Sequence, residues 1–225
     1  LTVRAAKGVI ITTGGFGANV KLRQEVNTGV WKEVKLDKGI GASTIAKAAQ
    51  GDGIAMGQKA GADVIGMSDI QLHPCGTPGT GLMEHIRTSG RNRLFVNENG
   101  DRFVNEGAPR DARCKAIFQL PNATYWLVVN KHRYPAVDWV DRYGATVGDM
   151  MALGAVVQGD TIADLAKKTG MDAAKLQASV DAYNEVATGK VAKDKLGFVA
   201  NNKEDKPRTE GPWYACKKVP MVHHT

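Results

Sequence analysis

Hydrophobic residues follow two patterns along this chain of 225 residues. Unbroken runs at 8–13 and 125–130 are rich in β-branched or aromatic residues, which is typical of buried strands. At 173–187, apolar residues recur three or four positions apart, as on one face of an amphipathic helix. The pattern therefore predicts a protein that mixes α and β structure.

Capping and turn residues extend this prediction. Further helices are expected at about 20–26, 54–62, 111–119 and 160–169, the last with Asp160 as its N-cap. The first strand should end at the Gly-rich turn Gly14–Gly17. Residues 63–81 and 188–212 have no clear periodicity, so we expect them to be loop-like.

Residues 93–104 predict a β-hairpin, because Asn97–Gly100 contains the Asn-Gly pair that favours chain reversal. A short polar loop follows and includes Glu106, Arg110 and Asp111. Taken alone, Arg110 is interpreted as a surface charge and Asp111 as a helix cap. A catalytic role for Arg110 needs further evidence.

Composition is that of a globular protein, with 43% hydrophobic and 24% charged residues. No stretch approaches 18 consecutive apolar residues, so we expect no membrane span, and no signal peptide is visible. The net charge of +7 favours an anionic ligand, an anionic cofactor or nucleic acid. Many lysines lie at 186–218, which indicates a solvated face or, as the alternative, a binding patch.

Three cysteines, Cys75, Cys114 and Cys216, lie too far apart for a zinc knuckle or a c-type haem motif. Their odd number argues against a disulfide framework. Cys75 lies close to His73, but no further ligand has a suitable spacing. The sequence therefore predicts no metal site.

Six motifs occur in a particular order: TTGGFGAN at 12–19, GDGIAMGQKAGA at 51–62, IQLHPCGTPGTG at 70–81, LFVNENGDRFVNE at 94–106, PRDA at 109–112 and PMVHHT at 220–225. In this order they resemble the flavoprotein subunit family of fumarate reductases and succinate dehydrogenases. The similarity is greatest to the soluble flavocytochrome c-like fumarate and acrylate reductases of that family.

The resemblance implies an α+β fold in three parts. Residues 1–70 would form the C-terminal edge of a Rossmann-like FAD-binding domain, 71–215 an α+β capping domain, and 216–225 a return segment. The chain has no GxGxxG motif and stops before the family's MGG. We therefore expect an interior fragment that binds FAD poorly and does not turn over by itself.

The resemblance also implies a reaction. A hydride would pass from N5 of FAD to the β-carbon of fumarate or a related 2-enoate. Arg110, matched through RFVNE-x-x-x-RD, would protonate the α-carbon, while His73 and His223 would bind the substrate. Flavin contacts would fall on Gly14, Gly15, Gly17, Asp52, Gly53 and His224.

Two of these assignments have structural alternatives. Asp52 is also suited to cap the helix that follows it. His223 and His224 are also interpretable as a disordered tail, because they lie at the end of the sequence.

An arginine acid needs a proton relay, because the pKa of a free guanidinium exceeds about 12. The family's T-E-x-x-R motif matches Glu84 and Arg87 if a gap is allowed, whereas an ungapped alignment places Ile86 and Ser89 there. In the gapped alignment, Met83 replaces a substrate-binding threonine, which favours an acrylate less polar than fumarate. A local ion pair between Glu84 and Arg87 is the structural alternative.

The resemblance places the electron donor outside this chain, as a haem domain, a bound FMN or a partner protein. The ligand is expected to be a small unsaturated carboxylate and not nucleic acid. The sequence does not identify the compartment; the resemblance allows the bacterial periplasm or cytoplasm and slightly favours the periplasm. Rival functions are a flavin dehydrogenase or oxidase of the same fold, related to ketosteroid dehydrogenases or aspartate oxidases, and an isolated anion-binding cap module without activity.

Overall fold

A computed structural model describes residues 3–37, 40, 48–81, 83, 85–88, 92–141, 144–201 and 204–225. The helices in these ranges are α1 (Val20–Glu25), α2 (Asp52–Lys59), α3 (Arg110–Phe118), α4 (Val147–Ala152), α5 (Ile162–Thr169) and α6 (Ala173–Ala187). The strands are β1 (Gln71–Gly76), β2 (Leu94–Val96), β3 (Tyr125–Asn130), β4 (Val157–Gly159) and β5 (Trp213–His224). The predicted α+β class is confirmed.

The sheet is antiparallel and has the order β1-β5-β3-β2, with β4 also paired to β5. The first half of β5 pairs with β3 and β4, and its second half pairs with β1. A single 12-residue strand therefore connects the two parts of the sheet.

Alternate residues of β2 and β3 point to opposite faces of the sheet, as the pleat requires. Leu94 and Val128 pack with α5 and α6 in one apolar cluster. Phe95 and Leu127 pack with residues of α3 and α4 in another. A third cluster joins the N-terminal residues Phe16, Trp31 and Leu36 to Leu72 of β1 and Val222 of β5.

The predicted strand at 125–130 and helix at 173–187 are confirmed to the residue. The helices expected at 20–26, 54–62 and 111–119 are confirmed as α1, α2 and α3, with ends that differ by at most three residues. The helix expected at 160–169 is α5, but Asp160 is not its N-cap. The hydroxyl of Thr161 accepts from the Asp164 amide and takes that role.

The strand predicted at 8–13 is wrong. Val9 and Ile10 are 80% and 88% exposed, and no strand in the described residues pairs with this segment. The loop predicted over 63–81 is wrong at β1, where pairing with β5 overrides a sequence that contains a proline. Apolar content alone cannot predict either outcome, because a strand needs a partner to satisfy its backbone.

The hairpin predicted at 93–104 is confirmed at its turn. Gly100 has a φ of 95°, and the side chain of Asn97 accepts from the amides of Asn99 and Asp101. The second strand is reduced to one bridge between Val96 and Arg102. After this bridge the chain leaves the sheet, and Arg102 turns into the protein interior.

A buried ion pair holds the loop after this bridge. The Arg102 Nε and Nη2 atoms donate to the two carboxylate oxygens of Glu106 at 2.9 and 2.7 Å. Arg102 Nη1 also donates to Asp194 at 2.6 Å, and Glu106 accepts from the Phe95 amide at 3.1 Å. The RFVNE motif therefore has a structural role: it ties the loop that enters α3 to β2 and to the segment after α6.

We predict that Glu106→Gln lowers the free energy of unfolding by about 2–5 kcal/mol, because it leaves the buried Arg102 without its bidentate partner. Urea unfolding of the two proteins measures this difference. Glu98→Gln is the matched control: Glu98 forms an exposed ion pair with Lys217 at 3.0 Å, and its loss should cost less than about 1 kcal/mol. Equal destabilisation by the two substitutions would contradict the role of Glu106.

None of the helices in the described ranges combines the length and the apolar character that crossing a membrane requires.

Candidate active site

Pairing between β1 and β5 brings two predicted substrate-binding histidines together. Leu72 pairs with Val222 and Gln71 pairs with His224, so His223 is an extra residue on β5 and forms a bulge. A bulge re-aims a side chain out of the regular alternation. The ring centroids of His73 and His223 lie 5.0 Å apart, at an interplanar angle of 64°. The alternative of a disordered tail is wrong, because both His223 and His224 belong to β5.

Both histidines are uncharged at neutral pH. Burial, followed by the positive charge of Arg110, lowers the pKa of His73 to about 3. Burial lowers the pKa of His223 to about 4, with smaller effects from His224 and Arg110. A neutral imidazole presents one N–H donor and one acceptor, so the pair is suited to hydrogen bonding with a carboxylate.

Arg110 is the first residue of α3 and reaches β1. Its Nη1 atom donates to the side-chain oxygen of Gln71 at 2.6 Å, two residues before His73. Arg110 is therefore not a free surface charge, because it is half-buried and hydrogen-bonded to β1. Asp111 is not the cap either: the N-cap is Pro109, and Asp111 lies in the first turn of the helix.

A hydrogen bond on one side of the loop and a helix start on the other fix the position of Arg110. The Asn105 side chain donates to the Gly197 carbonyl at 2.9 Å, next to the Arg102–Glu106 pair. At the other end, the helix begins at Arg110 itself, where Pro109 is pre-organised for a helix start. The guanidinium is therefore carried on a short, doubly anchored segment.

Gly15, one of the predicted flavin-facing glycines, lies against the end of the chain. The Phe16 amide donates to the Thr225 hydroxyl at 2.8 Å, and the Gly51 amide donates to the Gly15 carbonyl at 3.2 Å. A Cβ at Gly15 would collide with Thr225. The structure thus brings the motifs at 12–19, 51–62 and 220–225 into one place.

This place fits a bound cofactor. Gly14 has a φ of 81°, and a Cβ built there meets nothing within 4 Å, so the turn presents open backbone. Gly17 is buried, and a Cβ at Gly53 would approach Ile11 Cγ2 to 2.6 Å, so both glycines mark close packing behind the turn. The side chain of Asp52 is exposed at the start of α2.

The predicted relay is only partly described. Glu84 and Ser89 lie outside the described residues. Arg87 is half-buried, and its carbonyl accepts from Arg133 Nη2 at 3.2 Å. Met83 is half-buried, while Ile86 is buried in the cluster that contains Phe95 and has no group that can carry a proton.

Sequence reasoning missed several residues of this region. Gln71 had no predicted role of its own, yet its side chain accepts a hydrogen bond from Arg110. Thr225 likewise had none, and its hydroxyl accepts from the Phe16 amide beside the glycine turn. Two arginines, Arg93 and Arg113, have their Cζ atoms 6.0 and 5.8 Å from the ring centroid of Phe95. The basic side chains were visible in the sequence, but no periodic pattern indicated that they are buried.

The profile of the FAD binding domain family matches residues 1–225. NADH:acrylate oxidoreductase of Vibrio harveyi is 33% identical over 100% of this chain, which covers 21% of that protein. Urocanate reductase of Eggerthella lenta is 30% identical over 98% of this chain and 35% of its own length. The chain therefore spans about a fifth to a third of these relatives.

A solved structure supports the same assignment. The open conformation of a flavocytochrome c3 fumarate reductase matches 95% of this chain and 34% of its own, with a TM-score of 0.69 and 29% identity. The predicted resemblance to flavocytochrome c-like fumarate and acrylate reductases is confirmed. Since the family profile matches the whole chain, the protein belongs to the FAD-binding domain family.

Proposed function

We propose that this chain supplies the substrate-protonating part of an FAD-dependent enzyme that reduces the C=C bond of fumarate or a related 2-enoate. The observation that carries the proposal is the convergence of Arg110 with two neutral histidines, His73 and His223, at the junction of α3, β1 and β5. The names of the relatives, which include an acrylate oxidoreductase and a urocanate reductase, support it.

The bound flavin supplies the hydride in this reaction. The residues proposed to contact it are Gly14, Gly15, Gly17, Asp52, Gly53 and His224. Support comes from the open backbone at Gly14. The hydrogen bonds Phe16–Thr225 and Gly51–Gly15 also bring together the three motifs that contain these residues.

His73 and His223 hold a carboxylate of the substrate in this proposal. Each donates one N–H, and Arg110 adds a positive charge beside them. Negative charge grows on the enoate as the β-carbon is reduced, and preorganised donors stabilise that charge in the transition state. Arg110 then gives a proton to the α-carbon.

A proton must return to Arg110 after each turnover, because its neutral form is unstable in water. We propose that Glu84 and Arg87 deliver it. The support is chemical: Glu84 is a carboxyl group at the matched position, whereas the competing assignment includes the apolar Ile86. Electrons reach the flavin from a haem or FMN domain or a partner protein.

We predict that Arg110→Ala lowers kcat for fumarate or acrylate at least 100-fold in the full-length, FAD-loaded protein, because the proton donor is lost. Oxidation of reduced viologen measures turnover, and the flavin absorbance should stay at the wild-type level. Lys115→Gln removes an exposed charge from the same helix and should leave kcat unchanged. Turnover in Arg110→Ala near the wild-type rate would exclude Arg110 as the acid.

The low pKa values of about 3 for His73 and about 4 for His223 predict a flat pH dependence of binding. Both rings stay neutral above about pH 5.5, so the Kd for fumarate should change less than about twofold between pH 5.5 and 8. A histidine with its usual pKa near 6.5 would gain charge on acidification and tighten binding. Tightening of about tenfold with a midpoint near pH 6.5 would show that the histidines are charged in this range. Calorimetric titration of the oxidised protein measures Kd.

The relay makes a separate prediction. Glu84→Gln and Arg87→Gln should each lower kcat about tenfold or more and leave KM within about twofold, because they act on proton return and not on binding. Glu33→Gln, at an exposed glutamate remote in sequence from the motif, is the control. Wild-type kcat in Glu84→Gln would exclude this route for the proton.

A further inference from the structure

Arg113 lies one helical turn after Arg110 on α3 and is only 9% exposed. Its Nε atom is buried and makes no hydrogen bond, and no carboxylate in the described residues pairs with its guanidinium. The ring of Phe95 lies next to it, with its centroid 5.8 Å from Cζ. A buried charge without a partner is costly, so this arrangement calls for an explanation.

Buried arginines of the described ranges differ in their hydrogen bonding: the Nε and Nη2 atoms of Arg208 are also without a partner, whereas two others have several. Arg23 donates to the carbonyls of Gly17, Leu36, Asp37 and Ile40. Arg102 donates to two carboxylates, Glu106 and Asp194. Arg113 differs from both, although its stack on Phe95 recovers part of the cost.

The position of Arg113 connects it to the proposed active site. The positive charges of Arg110 and Arg113 both act on His73, and both lower its pKa. Arg113 also lies near Tyr125, whose hydroxyl donates to the Pro74 carbonyl at 2.5 Å, next to His73. The guanidinium is therefore held near the part of β1 that carries the substrate histidine.

We propose that Arg113 is a further substrate-binding residue, which pairs with a second carboxylate of the enoate while Arg110 and the histidines hold the reacting end. The site then selects a dicarboxylate over a monocarboxylate. This inference rests on the proposed function and specifies its substrate class. It opposes the expectation from Met83, which replaces a threonine hydroxyl and so favours an acrylate less polar than fumarate. One experiment can decide between a dicarboxylate and a less polar substrate.

The test compares two ligands that share a carbon skeleton. Fumarate carries two carboxylates, and in monomethyl fumarate one of them is an ester. Calorimetric titration of the oxidised, FAD-loaded, full-length protein gives Kd without turnover. The wild-type protein should bind fumarate at least about tenfold more tightly than the ester.

Arg113→Gln should weaken fumarate binding about tenfold or more and leave the Kd of the ester within about twofold. Arg113→Lys should recover part of the loss, because it restores the charge without the planar fork. Lys115→Gln, which removes an exposed charge from the same helix, should bind both ligands as the wild type does. Flavin content and the circular dichroism spectrum report whether each variant is folded.

Two results would overturn the inference. In the first, Arg113→Gln affects both ligands equally or neither, which leaves Arg113 as a packing residue on Phe95. In the second, the wild-type protein binds the ester as tightly as fumarate, as the Met83 expectation requires. Failure of the wild-type protein to bind either ligand would instead contradict the proposed function itself.

Discussion

The buried pair between Arg102 and Glu106 is the interaction on which the geometry of the site depends. It closes the loop between β2 and α3, and the same carboxylate also accepts from the Phe95 amide. A buried charge pair stabilises the fold only if its attraction and hydrogen bonds offset the cost of removing both charges from water. Here both carboxylate oxygens of Glu106 accept from Arg102. Because α3 starts directly after this loop, the pair determines where the helix begins. It therefore also determines what the guanidinium of Arg110, the first residue of the helix, can reach.

The second constraint is the strand β5. It is paired over its whole length, first with β3 and β4 and then with β1, and it ends against the glycine turn at Gly15. The bulge at His223 interrupts the regular pairing where the histidine ring must face His73. The same strand therefore carries the proposed substrate residue His223 and, at its end, contacts the proposed flavin-facing glycine turn. A shift of β5 would move both.

Much of the fold and of the candidate site could be predicted from the sequence. Periodicity was sufficient for β3 and α6, because local pattern and tertiary packing agree there. Motif order predicted Arg110 and His73 as site residues; the structure places them near each other, and their roles stay predictions. Periodicity failed at 8–13 and at β1, where strand formation depends on a partner distant in the sequence. The burial of Arg102 and Arg113 was equally unpredictable, since a charged residue is expected at the surface unless its partners are known.

The central claim is that Arg110, His73 and His223 surround one substrate molecule. A crystal structure of the oxidised, FAD-loaded, full-length protein with fumarate tests it most directly, because no reductant is present and the ligand is not consumed. The account predicts a carboxylate hydrogen-bonded to both histidines and the Arg110 guanidinium within about 3–3.5 Å of the α-carbon. Fumarate bound away from these three side chains, with Arg110 directed only at Gln71, would contradict it.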